Sequence, residues 1–128
     1  RFEPRGQYIG TEPYNKWTKP SCVLIGEDNY SDACGFPYVY KTLGIGKLIG
    51  APVPGTMTAV WWENQIDPSI VFGIPQVGAL GVKEGRYLEN MQIEPDILVY
   101  NDPASVLRGE DKQLEAAVKE MLKTIESR

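Results

Sequence analysis

The sequence predicts an α/β fold in a single domain, and three observations carry that reading. Cys22-Val23-Leu24-Ile25 is a short apolar run of the buried-strand kind. Ala33, Phe36, Val39, Tyr40 and Leu43 recur at helical spacing, and Lys47-Leu48-Ile49-Gly50 is a second short strand. Strand, helix and strand over about thirty residues make a βαβ unit, with parallel strands because the crossover is a helix.

Each element can be justified in chain order. Residues 1–20 are rich in Pro, Gly, Tyr and Trp without a sustained period, so they read as an extended connector. The first strand ends at Gly26. The helix that follows begins near Ser31 and stops at Gly44 and Gly46, with Pro37 inside it, so a tight first turn is expected before the regular helix. After the second strand, residues 51–56 form a Pro/Gly-rich loop, where α/β sheets commonly place binding residues. Met57 to Trp62, Ser69 to Phe72 and Gln76 to Val82 read as strands, joined by turns at Asn64-Gln65 and near Gly73 to Pro75. Ile97 to Tyr100 is a further strand candidate. Asp102-Pro103 supplies an N-cap and first-turn proline for a short helix closing at Gly109. Leu114, Ala117, Val118, Met121, Leu122 and Ile125 line one face of a terminal helix.

Composition narrows the function classes. With 128 residues, 42% apolar content, 13 Gly and 10 Pro, the chain suits one turn-rich domain with a real core. A net charge of -4 without a Lys/Arg run gives no electrostatic reason to expect nucleic acid or an anionic membrane as partner. No stretch approaches the ~20 apolar residues of a membrane span. The opening Arg1-Phe2-Glu3-Pro4 lacks a signal-peptide core and is not a Met start, which predicts residues upstream. Compartment stays open between cytoplasm and periplasm. Cys22 and Cys34 form neither a disulfide framework nor a ligand pattern, and the chain has no histidine, so no metal or cofactor is expected.

Chemistry is sought first at Asp28-Asn29-Tyr30-Ser31-Asp32-Ala33, where a serine stands between a buried strand and a helix. Its hydroxyl can be presented at the sheet edge, while the Asp32 backbone N–H points with the helix N-terminus toward an oxyanion forming beside it. The bland reading is an ordinary N-cap, which is what most such serines are. No internal Ser-His-Asp arrangement is available. Of the lysines that might replace the base, Lys41 lies nearly three helical turns from Ser31, on the order of 15 Å away. Lys47 precedes a strand, and for both a solvated role is the default. Glu89, followed by Asn90, reads on its own as a surface turn. Trp61, Trp62 and Glu63 read as a strand packing into a core or an interface.

The order of these motifs resembles a known family. Tyr30-Ser31-Asp32-Ala33, then Leu43 to Gly50, then Glu89-Asn90 before Glu94-Pro95-Asp96-Ile97, and finally Asn101-Asp102-Pro103 with Gly109 to Glu115, is similar to the C-terminal catalytic subdomain of tricorn-type, tail-specific S41 serine peptidases. The resemblance implies a crotonase/ClpP-like fold for residues 1–128 and a Ser-His-Ser-Glu active site. In it Ser31 corresponds to the nucleophile, Glu89 to the carboxylate that orients the histidine system, and the Asp32 amide to one oxyanion donor. The second donor, the histidine and the accessory serine belong to earlier subdomains, separated by a PDZ-like module. The implied partners are a peptide or unfolded-protein substrate, those upstream subdomains, and further copies in a homo-oligomer. Cys34 departs from the acidic residue often found after the Ser-Asp-Ala run, which bears on the wall near the nucleophile.

Three readings follow. The first is part of a serine endopeptidase or oligopeptidase, inactive as a 128-residue piece because a serine hydroxyl needs a base. The second is a peptidase-like binding or scaffolding module without catalysis. The third, an acyl-thioester chemistry on the related fold, is disfavoured by the Ser31-Asp32 placement.

Overall fold

The computed structural model describes residues 16–127. The expected βαβ unit is present: β1 (Cys22–Ile25), α1 (Asp32–Thr42) and β2 (Lys47–Gly50), with β1 and β2 parallel and Val23 opposite Leu48. A later strand, β5 (Ile97–Leu98), adds in parallel to the far side of β2, giving the order β1-β2-β5. The strand read as Ile97 to Tyr100 is thus half that length.

Alternation along the strands divides the core into two faces. Val23, Ile25 and Leu48 turn toward α1, where Cys34 and Tyr40 join Val53 and Ile93 in one buried cluster. Leu24 and Ile49 turn the other way, toward α3 (Lys112–Glu126). Leu48 and Ile49 are fully buried, as a strand covered on both sides requires. At the end of β2, Gly50 has φ +134° and its α-carbon lies against Ile25, where a Cβ would come within 2.0 Å of the carbonyl oxygen. The Ala51 N–H donates to that same oxygen at 3.0 Å, so the chain exits of β1 and β2 lie side by side.

The middle of the chain differs from expectation. β3 (Thr58–Asn64) and β4 (Val71–Gly78) form one antiparallel hairpin, with Trp62 opposite Gly73 and Asn64 opposite Val71. No turn occurs at Gly73 to Pro75; two expected strands are one, running through the proline. Pro75 is opposite Val60, beside a shift in register between Ala59 and Val60, and a bulge is where a sheet accepts a residue with no N–H. Trp61 and Trp62 are 61% and 68% exposed, so they pack into no core among the described residues.

Both helices near the end are present, the first with the cap expected and the second with one the sequence reading did not name. Asp102 accepts from the Ser105 N–H at the start of α2 (Pro103–Leu107), and Asp111 accepts from the Leu114 N–H at the start of α3. Ala117 is buried, whereas Leu114, Val118, Leu122 and Ile125 remain about half exposed. The expected connector falls mostly on residues outside those described; residues 16–20 carry no helix or strand. Among the described residues no helix is long and apolar enough to cross a membrane.

Candidate active site

Two loops leave the sheet at its carboxyl edge, one after β1 and one after β2, and the three singled-out residues belong to them and to the segment clasping the second. Ser31 ends the first loop. Its backbone has φ 54° and ψ -119°, a conformation L-residues rarely adopt, and its side chain makes no capping hydrogen bond to the helix. An ordinary N-cap serine has extended backbone and an oxygen bonded to the helix N–H groups. Ser31 has neither. Its hydroxyl is left at the surface, while its carbonyl accepts from Cys34 and Gly35 at 2.7 and 3.1 Å, which fixes the helix start. Asp32 follows directly, and among the described residues its N–H has no acceptor.

The loop carrying Ser31 is held from within. The Asn29 side chain accepts from the Gly26 N–H at 3.0 Å and donates to the Ala33 carbonyl at 2.8 Å. That carbonyl is the one a helical N–H at position 37 would bond, and Pro37 has none. α1 consequently runs unbroken from Asp32 to Thr42 with a buried proline in its interior, not after the tight first turn expected. Cys34 is fully buried, and its thiol donates to the Asn29 carbonyl at 3.3 Å. It therefore faces the core beneath the loop, not a wall beside the serine.

Glu89 is not a free surface residue. Its Oε2 accepts from the Met57 N–H at 2.7 Å and from the Thr58 hydroxyl at 2.8 Å. The Thr58 hydroxyl, then the Met57 N–H, hold its carboxyl below the ordinary glutamate range, against a smaller opposing push from burial. The segment around it clasps the loop after β2. Asn90, at φ 60°, donates its N–H to the Gly55 carbonyl, and Val53 and Ile93 exchange hydrogen bonds at 3.0 Å. Gly55 is required there, since a Cβ would meet the Met91 carbonyl oxygen at 2.1 Å.

Both lysines are engaged by acidic partners. Lys41 donates to the Glu94 carbonyl at 2.7 Å and pairs with Asp96 at 3.1 Å, while Lys47 pairs with Glu120 across to α3. Ser31 and Glu89 share no hydrogen bond, and among the described residues no group of His, Cys, Asp and Glu could hold a metal ion. A cavity of about 230 Å³ is lined by Tyr38, Lys41, Met57, Glu84, Leu88 and Ile93, among others, and Glu89 is not part of its lining. Ser31 is not part of its lining.

Sequence reasoning passed over Asn29 and Thr58. A helix-interior proline leaves the carbonyl four residues earlier in need of a donor, so Asn29 had a signal. Thr58 had none, because its partner lies thirty-one residues away.

Known proteins resemble this chain over much of its length. The profile of Peptidase family S41 matches residues 3–99. A Chlamydia pneumoniae protein is 34% identical over 90 residues, 70% of this chain and 14% of that protein. The tricorn protease of Thermoplasma acidophilum is 25% identical over 122 residues, 95% of this chain and 11% of that protein. The crystal structure of the tricorn protease superposes with a TM-score of 0.74 at 25% identity, over 82% of this chain and 10% of that one. Mature CPAF superposes with a TM-score of 0.59 at 27% identity, over 67% of this chain and 16% of that one. The chain thus spans from 10% to 16% of the length of these proteins.

Proposed function

This chain belongs to peptidase family S41, and from that premise we propose that it carries the nucleophile side of a serine-peptidase active site. Ser31 is the nucleophile, the Asp32 N–H one oxyanion donor, and Glu89 the carboxylate that orients a histidine. The histidine comes from outside these 128 residues, which contain none. The Ser31 Oγ attacks the peptide carbonyl carbon as the histidine takes its proton. The amine leaves with that proton, and water then releases the acyl group from Ser31. The observation that supports this most is the backbone of Ser31 itself. Strain of this kind costs on the order of 1–3 kcal/mol, and it recurs where a side chain must be aimed at a substrate instead of at the helix.

The domain reading goes with it: residues 1–128 form a C-terminal catalytic subdomain that works with upstream histidine-bearing and PDZ-like subdomains in a homo-oligomer, on peptide or unfolded-protein substrates. Without them the piece is inactive, since losing the base removes several orders of magnitude of rate. The test is labelling of the full-length protein by a serine-reactive phosphonate. Labelling at Ser31, and loss of both labelling and peptidase activity in Ser31→Ala, is the expected result. Full peptidase activity in that variant would sink the proposal.

A second reading, a binding module without catalysis, draws on the exposed aromatic face of the hairpin around Trp61 and Trp62. It predicts that the full-length protein takes no phosphonate at Ser31.

A further inference from the structure

We propose that Thr58 is a positioning residue for Glu89, fixing which carboxylate oxygen is available to the histidine; this rests on the serine-peptidase reading above. A carboxylate that orients an imidazole must present one oxygen along one line, and a glutamate side chain has three rotatable bonds with which to miss it. In this structure Oε2 is occupied twice, by the Met57 N–H at 2.7 Å and the Thr58 hydroxyl at 2.8 Å. No side chain among the described residues is bonded to Oε1, and the Thr58 N–H adds a further backbone donor acting on the carboxyl. Two donors on one oxygen fix both the position of the group and its rotation, so the second oxygen has a defined direction.

The anchor itself is rigid. Thr58 is the first residue of β3, paired with Gly78 of β4, and a β-branched side chain on a strand has few rotamers. Its hydroxyl can donate only one proton, and that proton is committed to Glu89. A donated proton favours the ionised carboxylate, the form that accepts from the donors of the histidine system. The backbone donor from Met57 survives any side-chain change there, whereas the Thr58 hydroxyl can be removed alone. Loss of one donor should loosen the orientation without abolishing the site.

A hydroxyl that merely ties β3 to the segment around Glu89 would make the same contacts, so the experiment must separate positioning from stapling. In the full-length protein, Thr58→Val should lower kcat roughly tenfold, the scale of one charge-assisted hydrogen bond, with KM within about twofold. Thr58→Ser, which restores the hydroxyl, should recover kcat to within about twofold. In a Glu89→Ala background, Thr58→Val should change kcat less than about twofold, because the group it positions is gone. Thr58→Ala carries the same expectation and guards against a folding defect in the valine variant. Full kcat in Thr58→Val and Thr58→Ala, with Ser31→Ala inactive, overturns the positioning role and leaves the peptidase reading standing. An equal loss on the Glu89→Ala background assigns Thr58 to structure alone. Full activity in Ser31→Ala removes both.

Discussion

Asn29 makes the hydrogen bond that Pro37 cannot. Its side-chain amide donates to the Ala33 carbonyl, and its own oxygen accepts from the Gly26 N–H, so one side chain joins the end of β1 to the first turn of α1 across Ser31. The interruption in the helix and the brace on the loop are thus one device. Asn29→Ala is expected to leave both backbone groups to solvent and to destabilise the protein by about 1 kcal/mol. Phosphonate labelling of Ser31 should slow as well. Asn29→Asp keeps the acceptor and loses the donor, so its denaturant midpoint should fall between the two.

Replacing Ser31 by glycine removes the penalty for φ 54°, whereas alanine retains it. Ser31→Gly is therefore expected to be more stable than Ser31→Ala by about 1 kcal/mol, with neither labelled by the phosphonate. Thermal melts of the two variants, side by side, check this.

Asp96 closes the start of β2. Its Oδ2 accepts from the N–H of Leu48, which is fully buried, and its other oxygen pairs with Lys41. Burial pushes its carboxyl up, but the Leu48 N–H and Lys41 together outweigh that, and the net shift is downward. Asp96→Ala leaves a buried donor without a partner and should cost about 2 kcal/mol. Asp96→Asn keeps an acceptor for Leu48 and loses only the ion pair, so its denaturation midpoint should move less.

Acid should act through Asp102. The Lys112 ammonium, the Ser105 hydroxyl and the Ser105 N–H converge on this carboxylate and hold it well below the ordinary range. A carboxyl depressed in the folded state contributes stability that is fully present above its unfolded pKa, near 3.9, and is lost as pH falls through the folded value. Asp102→Asn should therefore melt earlier than the parent at neutral pH, with the difference closing below about pH 4. A constant difference from neutral pH into acid would contradict the assignment.

How much of this was legible in the sequence depended on the range of the interactions. The βαβ unit and both terminal helices rest on local pattern: apolar runs, helical spacing, and Asp102-Pro103 placed before a helix. All were readable, although the Asp111 cap was passed over. The hairpin was misread at Gly73 to Pro75, because glycine and proline are turn signals unless a bulge on the partner strand accommodates them. That partner is set by tertiary pairing. Ser31 was read as a candidate, but its departure from a normal cap is a backbone angle, which no residue type announces. Glu89 looked like a surface turn because the Met57 and Thr58 donors that occupy it are distant in sequence.

The hairpin of β3 and β4 also bears on how this protein keeps apart from its own kind. Each strand has one side without a neighbour among the described residues, and such sides are templates on which other chains can crystallise into fibrils. Here the hairpin is interrupted at one place: the register shifts between Ala59 and Val60, where Pro75 lies opposite. An incoming strand would meet a local twist where it needs a flat, continuous ladder. The irregularity that disguised β4 in the sequence is thus also a break in the edge it offers to another chain.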